Sequence, residues 1–383
     1  MIDIGIVGLG GAGRAHARRF RRNASVRRIV GFDIKPVEIE GVELVHDLET
    51  LLGQVDAVSI CTPDHLHLRD IIRCLDAGKH VLVEKPMVAS HAEALDLKGH
   101  LLAHPELVFG VHHQMRHTPA FQKARELISS GALGKVFYLE ANYWHDMKSR
   151  STRFDNWRME HGQSLIFGHS CHPLDLLMHL LDGKPDSHST YLSKVGFDDY
   201  ATPYTSATTT LRFPRGVIAK SHVNSCCAFP QFNNLMVLGD EGTYIDGILY
   251  REGRFTQVSD FFGTGSSTLA LNVLDIKIPG RLVSLVFNAY LRTVDGLLRA
   301  YLRTFNWLAN RLMSRPDFAF RQYPLTVYNH DGACQVMVDN FVAAVGGREE
   351  ILVGYSDAAR VIELCEAVEA DGLRNLGAGN AAA

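Results

Sequence analysis

The sequence predicts an α/β protein in two parts: an N-terminal doubly wound parallel sheet, then an α+β domain built on a large, mostly antiparallel sheet. Three observations carry this. Residues 2 to 110 alternate short β-branched runs with helical patterns, "IDIGIVG", "AGRAHARRF", "RRIVGFD", "VDAVSIC", "LRDIIRCLDAG", "HVLVEKP", the order expected of βαβ units. The first run leads directly into a glycine-rich turn, "GLGGAG". From Lys135 the pattern changes to longer alternating strands, "KVFYLEANYWH", "ATPYTSATTTLRF", "GVIAKSHVNSC" and "NNLMVLGDEGTYIDG", separated by turn signals.

The boundary falls near Thr118, giving domains of residues 1–118 and 119–383. "PAFQKARELISSGALG" opens the second as one amphipathic helix, closed by Gly131 or Gly134. With 383 residues, 46% of them hydrophobic and 21% charged, the chain has the makings of two folded cores. A formal charge of -3 without blocks of like sign argues against nucleic acid as a partner. Seven cysteines, an odd count without CxxC pairs, read as reduced thiols. The start, "MIDIGIVGLG", lacks the basic end and cleavage site of a signal peptide, and no run of 18 apolar residues suggests a spanning helix, so a cytoplasmic chain is expected.

In "GLGGAG" the residues Gly8, Gly10 and Gly13 stand in G-x-G-x-x-G register between a strand and a helix. Gly8 permits the tight turn, Gly10 lets backbone approach a pyrophosphate, and Gly13 lets helix and strand pack closely, as in a Rossmann domain. A structural turn is the plainer reading of the glycines alone. Asp33 adds weight: it ends the next strand, "IVGFD", where a carboxylate accepts from a ribose hydroxyl and repels a 2'-phosphate. NAD is therefore expected, and NADP less so, although Lys35 two residues on tempers the preference.

"CTPDHLHLRDIIRCLDAGKHVLVEKPM", Cys61 to Met87, resembles the signature of the glucose-fructose oxidoreductase, inositol dehydrogenase and rhizopine-catabolism family, Gfo/Idh/MocA. The resemblance runs from Ile4 to about Asp246 and resumes at "HDGACQVMVDNFVAAVGG". It implies that Thr62, Pro63 and His67 line the cofactor, that Glu84 contacts the nicotinamide ribose, and that Lys85 stands between cofactor and substrate. The residues themselves agree on Lys85, because "HVLVEKP" ends a strand at the carboxyl edge where open α/β sheets bind ligands. "HHQMRHTP" resembles the family's N-x-R-x-x-P segment, which points to Gln114 on the cofactor side and Arg116 on the substrate side, with His112, His113 and His117 facing water.

"FGHSCHPLD" resembles the family's D-x-G-x-H-x-x-D helix, except that the first Asp is Gly168. His172 is then the general acid/base, Asp175 orients or caps beside the substrate, and His169 or a substrate group fills in for the missing carboxylate. A metal held by His169, Cys171 and His172 is the alternative. Their spacing lacks the i, i+4 register of a helical pair, so no metal is expected, and His179 reads as core. His145, Lys148, Arg150, Arg153 and Arg158 are basic side chains suited to an anionic substrate such as a nucleotide sugar or sugar acid, or else a plain exposed loop.

The reading is an NAD-dependent oxidoreductase that moves hydride between nicotinamide and a hydroxyl or keto carbon of a sugar-type substrate. The alternatives are a redox-assisted sugar lyase or hydrolase with transient NAD use, and a non-catalytic NAD(P)-binding regulator. A homo-oligomer is expected from a broad sheet with one open face. An atypical helical insertion occupies about 276–316; within it residues 281–313 form an amphipathic pattern with arginines on one stripe. Burial against the second domain or a partner subunit is one reading, and peripheral contact with an anionic membrane surface another.

Overall fold

The computed structural model describes residues 1–147, 164–195, 204–227, 232–258, 268–271, 276–279 and 330–381. The first sheet has six strands: β1 (Ile2–Val7), β2 (Val26–Phe32), β3 (Glu43–Leu44), β4 (Ala57–Ile60), β5 (His80–Val83) and β6 (Phe109–Val111), ordered β3-β2-β1-β4-β5-β6. Every pairing is parallel. Helices α1 (Gly11–Arg22), α2 (Leu48–Leu52), α3 (His67–Asp76) and α4 (His91–Ala103) cross between strands. With both faces covered, Ile4, Ile6, Val58, Ile60, Val81 and Val83 are all sealed from water, which is why the strands read as unbroken apolar runs. The strand order reverses between β1 and β4, and ligands of such sheets bind beyond the carboxyl ends at that crevice.

The second sheet has eight strands: β7 (Val136–Trp144), β8 (Ser187–Ser193), β9 (Ser206–Arg212), β10 (Ile218–Asn224), β11 (Phe232–Gly239), β12 (Gly242–Ile245), β13 (Ile248–Arg251) and β14 (Arg254–Gln257). Its order is β14-β13-β12-β11-β7-β10-β9-β8, antiparallel throughout except for the parallel β7–β10 pair. That one exception follows from β7 leaving through a helix before the β8–β9–β10 run returns beside it. Alternation along β7 turns Leu139, Ala141 and Tyr143 inward. A separate two-stranded antiparallel ribbon pairs β15 (Thr268–Leu271) with β16 (Ile276–Pro279).

Helix α5 (Pro119–Ser129) starts with proline at its first position after Thr118, and both Gly131 and Gly134 behind it take positive φ, as stop signals should. Helix α6 (Cys171–Leu180) packs on β7 and is entered through a wide π turn, Ile166–Ser170.

Two C-terminal helices, α7 (His330–Val345) and α8 (Tyr355–Ala381), close the fold. Although the sequence grouped them with the second domain, α7 packs on the first. Its Val338, Phe341 and Val342 share one core with Ile4, Ile6 and Phe20, and Asp331 pairs with Arg19 and Arg22 of α1. The parallel sheet needs cover on both faces, and this late helix supplies part of it. The segment behind it adds a backbone hydrogen bond of 2.9 Å from Val111 to Val353. Helix α8 touches both parts, through Tyr355 Oη to Ala94 and through Asp371, which accepts from Thr190 N.

The basic residues Lys148, Arg150, Arg153 and Arg158 lie outside the described residues, as does the amphipathic 281–313 segment. Among the described residues no helix is long and apolar enough to cross a membrane.

Candidate active site

The carboxyl ends of β1, β2, β4, β5 and β6 present, in turn, Gly8, Asp33, Thr62, Glu84 and His112. Gly8 has φ of 86°, and a Cβ there would lie 2.8 Å from the Cys61 and Thr62 backbone. A Cβ on Gly13 would meet Gly8 O at 2.0 Å, so α1 sits directly against the turn. Above Gly10 and Gly11, by contrast, nothing stands within 4 Å. A tight floor with open space at a helix N-terminus is what a pyrophosphate needs, and these residues fit the dinucleotide the motif implies. Asp33 is held by Leu9 N at 2.6 Å and Lys35 N at 2.8 Å, which fixes its carboxylate at the rim.

Thr62 and Pro63 stand at the end of β4 beside this turn, with the Thr62 hydroxyl donating to Asp70 at 2.8 Å. His67 is buried, and its ring nitrogens lie 2.8 Å from Pro86 O and 2.9 Å from Thr62 O. It therefore ties the Thr62 loop to the Lys85–Pro86 turn.

Glu84 is gripped from two sides. His16 Nε2 lies 2.9 Å from Oε1 while His16 Nδ1 meets Ser59 Oγ at 2.8 Å, and His112 Nδ1 is 3.3 Å from the same carboxylate oxygen. Burial pushes the Glu84 carboxyl up, but His112 and His16 more than reverse this and hold it well below the usual range. Among the described residues these three alone have metal-ligand proximity, within 4.8 Å of one another. The His169, Cys171, His172 trio does not share it; burial pushes the Cys171 thiol up to about 12, which leaves it a poor ligand.

Lys85 reaches across to the second domain, where Nζ donates to Gly168 O at 2.8 Å. Gly168 stands at the sequence position where the family pattern has an aspartate. Four residues on, His172 is buried and stacks on Tyr143, ring centroids 5.3 Å apart at 19°. His169 packs edge-on to Tyr143 at 5.5 Å and to His145 at 5.9 Å. Gln114 is buried in the short turn after β6, with Oε1 lacking a hydrogen-bond partner. That unsatisfied acceptor suits an amide or hydroxyl donor from a ligand.

Arg116 and Asp175 were expected to meet the substrate, and the structure turns them on each other. Arg116 Nε donates to Asp175 Oδ2 at 2.8 Å and Nη2 donates to Oδ1, with Arg116 6% and Asp175 0% exposed. Arg116 Nη1 also lies 3.5 Å from Asp357 on α8. Two opposite charges this deeply buried satisfy each other before any ligand arrives. His112 and His113 are buried rather than facing water, and His117 and His179 are partly buried, each pushed down to about 4 chiefly by burial.

Sequence reasoning passed over His16, placed His113 in water and passed over Tyr143. The first two had a signal: His16 is nearly one turn past Gly13, on the face of α1 that packs on the sheet, and "VHH" ends β6 at the ligand-bearing edge. Tyr143 is visible only through the inward register of β7.

Residues 2–113 match the oxidoreductase family with NAD-binding Rossmann fold, and residues 121–245 match the GFO/IDH/MocA C-terminal domain. A 1-carboxy-3-chloro-3,4-dihydroxycyclohexa-1,5-diene dehydrogenase of Comamonas testosteroni is 29% identical over 58% of this chain and 59% of its own length. A 1,5-anhydro-D-fructose reductase of Ensifer adhaerens is 27% identical over 66% of this chain and 74% of its own. In structure, the myo-inositol 2-dehydrogenase of Lactobacillus plantarum superposes with a TM-score of 0.71 over 98% of both chains at 17% identity, a likeness of fold. With both halves matched and the cofactor-edge residues in register, the chain belongs to the Gfo/Idh/MocA family of oxidoreductases, built on an NAD-binding Rossmann domain.

Proposed function

We propose that the protein is an NAD-dependent oxidoreductase acting on a hydroxyl-bearing carbon of a sugar-type or cyclic polyol substrate. The observation that carries this is the Lys85 Nζ to Gly168 O contact of 2.8 Å, which brings the lysine at the end of β5 to the turn that leads into His172. Bound at the glycine turn, NAD supplies the two-electron acceptor. Gly10 and Gly11 leave room for its pyrophosphate, Asp33 addresses the adenosine ribose, and Glu84, kept ionised, accepts from the nicotinamide ribose. Lys85 donates to the reacting oxygen, and His172 takes or returns the hydroxyl proton. Tyr143, stacked on the ring, and the buried walls exclude water from that exchange.

A panel of inositols, aldoses, sugar acids and nucleotide sugars, followed by absorbance of the reduced cofactor, tests the reading. Turnover that vanishes in Lys85→Ala and His172→Ala while NAD still binds is the expected result. Turnover unaffected in both variants would reject the assignment. The relatives act on a carboxylated cyclic diol and an anhydro sugar, and a carboxylated ring or an anhydro sugar leads the panel for that reason.

Self-association and place in the cell belong to the same proposal. Tyr138, Trp144, Phe232, Met236 and Leu238 share the outer face of the second sheet with Glu140, Asn142 and Asn234, a mixed surface of the kind that meets a second copy. Light scattering that gives the mass of a single chain would refute this. All seven cysteines are free thiols, which supports a reducing, cytoplasmic setting.

A further inference from the structure

The family pattern places an aspartate where this chain has Gly168, so something else must share the proton work of His172. The expected substitute, His169, packs against Tyr143 and His145. A different histidine has the required surroundings. His113 follows β6 at the ligand-bearing edge of the first sheet and is 2% exposed. Its Nδ1 lies 3.7 Å from Asp175 Oδ2. Nδ1 is sealed from solvent and has no hydrogen-bond partner, so Asp175 acts on it through charge across 3.7 Å, whereas Nε2 is not among the sealed atoms. Across the gap stands His172, edge to plane at 83°, with ring centroids 6.5 Å apart.

We infer that His113 is a second acid/base residue of the reaction, backed by Asp175 at Nδ1 and open to the substrate at Nε2; the inference rests on the oxidoreductase reading above. A carboxylate facing Nδ1 favours the tautomer with the proton there, and Nε2 then carries the lone pair of a base. An oxygen hydrogen-bonded to both rings at about 2.8 Å each holds the two nitrogens roughly 4.5 Å apart. Rings whose centroids are 6.5 Å apart accommodate that spacing.

The balance is complete. In the oxidising direction the substrate's C–H and O–H bonds break and C=O forms. The hydride leaves to the nicotinamide, and the proton passes to one of the two imidazoles. The share that reaches His113 makes an imidazolium beside Asp175. Burial holds His113 below the ordinary imidazole value despite Asp175, with Arg116, Lys85 and His112 pushing the same way, so at neutral pH it is poised to accept. Facing it are Asp175 and His172 from α6, Arg116 from the turn after β6, and Lys85 from the end of β5.

Two measurements test the inference. The first needs no turnover: long-range proton–nitrogen correlation spectra of histidine-labelled protein should show His113 neutral near pH 7 with its proton on Nδ1. A ring protonated on Nε2 overturns the proposal, even if the enzyme proves active. The second uses a substrate found by the panel. His113→Gln should lower kcat tenfold or more with NAD affinity within twofold of wild type, and the His113→Gln, His172→Gln double variant should fall below either single one. A kcat within twofold of wild type in His113→Gln overturns it. Wild type inert toward every substrate would count against the oxidoreductase reading instead, and the spectrum would still decide the state of His113.

Discussion

Replacing Arg116 with methionine separates a structural role from a substrate-binding one. Arg116→Met removes both hydrogen bonds to an Asp175 carboxylate that has no exposed surface, and it also drops the contact with Asp357. What stays near Asp175 is His113 at 3.7 Å, too far for a hydrogen bond. Breaking one side of so buried a pair costs about 3–5 kcal/mol, because a charge is left without compensation. For a chain of 383 residues that is a fall of roughly 4–6 °C in melting temperature. Arg116→Met with Asp175→Leu should regain most of the loss, since an apolar pair in place of a buried ion pair is often neutral. Activity should stay low in that double variant, because His113 has lost its carboxylate. The sign with pH is also fixed. Burial pushes Asp175 up, but His113 and Arg116 outweigh it and hold its value in the fold below the ordinary one. The stability it contributes is thus present above the ordinary carboxylate value and lost as pH falls through the lower folded one. The gap between wild type and Arg116→Met should therefore narrow in acid. Thermal melts at neutral and acid pH, with turnover assays of the same variants, measure all of this; a variant that melts within about 1 °C of wild type at pH 7 and only loses substrate affinity would return Arg116 to the substrate site.

Four further outcomes follow from the same geometry. Gly13→Ala puts a Cβ 2.0 Å from Gly8 O, a clash backbone must relieve, and calorimetry should show NAD binding weakened by about tenfold or more. Asp33→Ser should weaken NAD and raise relative use of NADP; an unchanged ratio in paired saturation curves would remove Asp33 from the ribose. His67→Leu takes the ring from between the carbonyls of Thr62 and Pro86, leaves at least one of them without its buried donor, and should lower stability by about 1–3 kcal/mol in chemical melts while displacing Lys85 enough to reduce kcat. His117 and His179, held at about 4 chiefly by burial, stay neutral in the fold, so the stability they contribute is complete above the ordinary value of 6.5 and is lost as pH falls through about 4. Melts between pH 4 and 7 should slope less steeply in His117→Gln with His179→Gln than in wild type.

The first sheet was legible because its signals are local. A parallel strand buried on both faces has to be an apolar run, and a phosphate turn has to be glycine, so Ile4 to Gly13 state their structure within ten residues. The helix at 119–129 was legible for the same reason, with proline at one end and positive-φ glycines at the other. Strand β8, "SHSTYLS", was less so, because an edge strand with polar side chains resembles a loop until β9 pairs with it. The return of α7 to the first sheet is not readable at all from a pattern, since a buried apolar helix does not say which sheet it covers. In the site, Gly8, Asp33, Glu84 and Lys85 follow from a rule about strand ends. The fate of Arg116 depends on Asp175, 59 residues away, and only the assembled fold shows that the two charges cancel.

That cancellation bears on how Lys85 works. A lysine facing a carboxylate shares its charge with it, whereas a carbonyl accepts the hydrogen bond and leaves the ammonium's charge undiminished. Among the described residues Lys85 is held by Gly168 O, Glu84 is engaged with His16 and His112, and Asp175 is matched by Arg116. The field at the reacting oxygen is therefore more positive than it would be with an aspartate at position 168. Fixed donors and charges aimed at developing negative charge stabilise it without reorganising. In the proposed reaction the glycine thus favours Lys85 as an electrophile for an alkoxide-like oxygen and removes a base from that position. On the function proposed above, proton acceptance then falls to imidazoles, and the two that face each other come from both domains: His172 from the helix of the second, and His113 from the strand edge of the first.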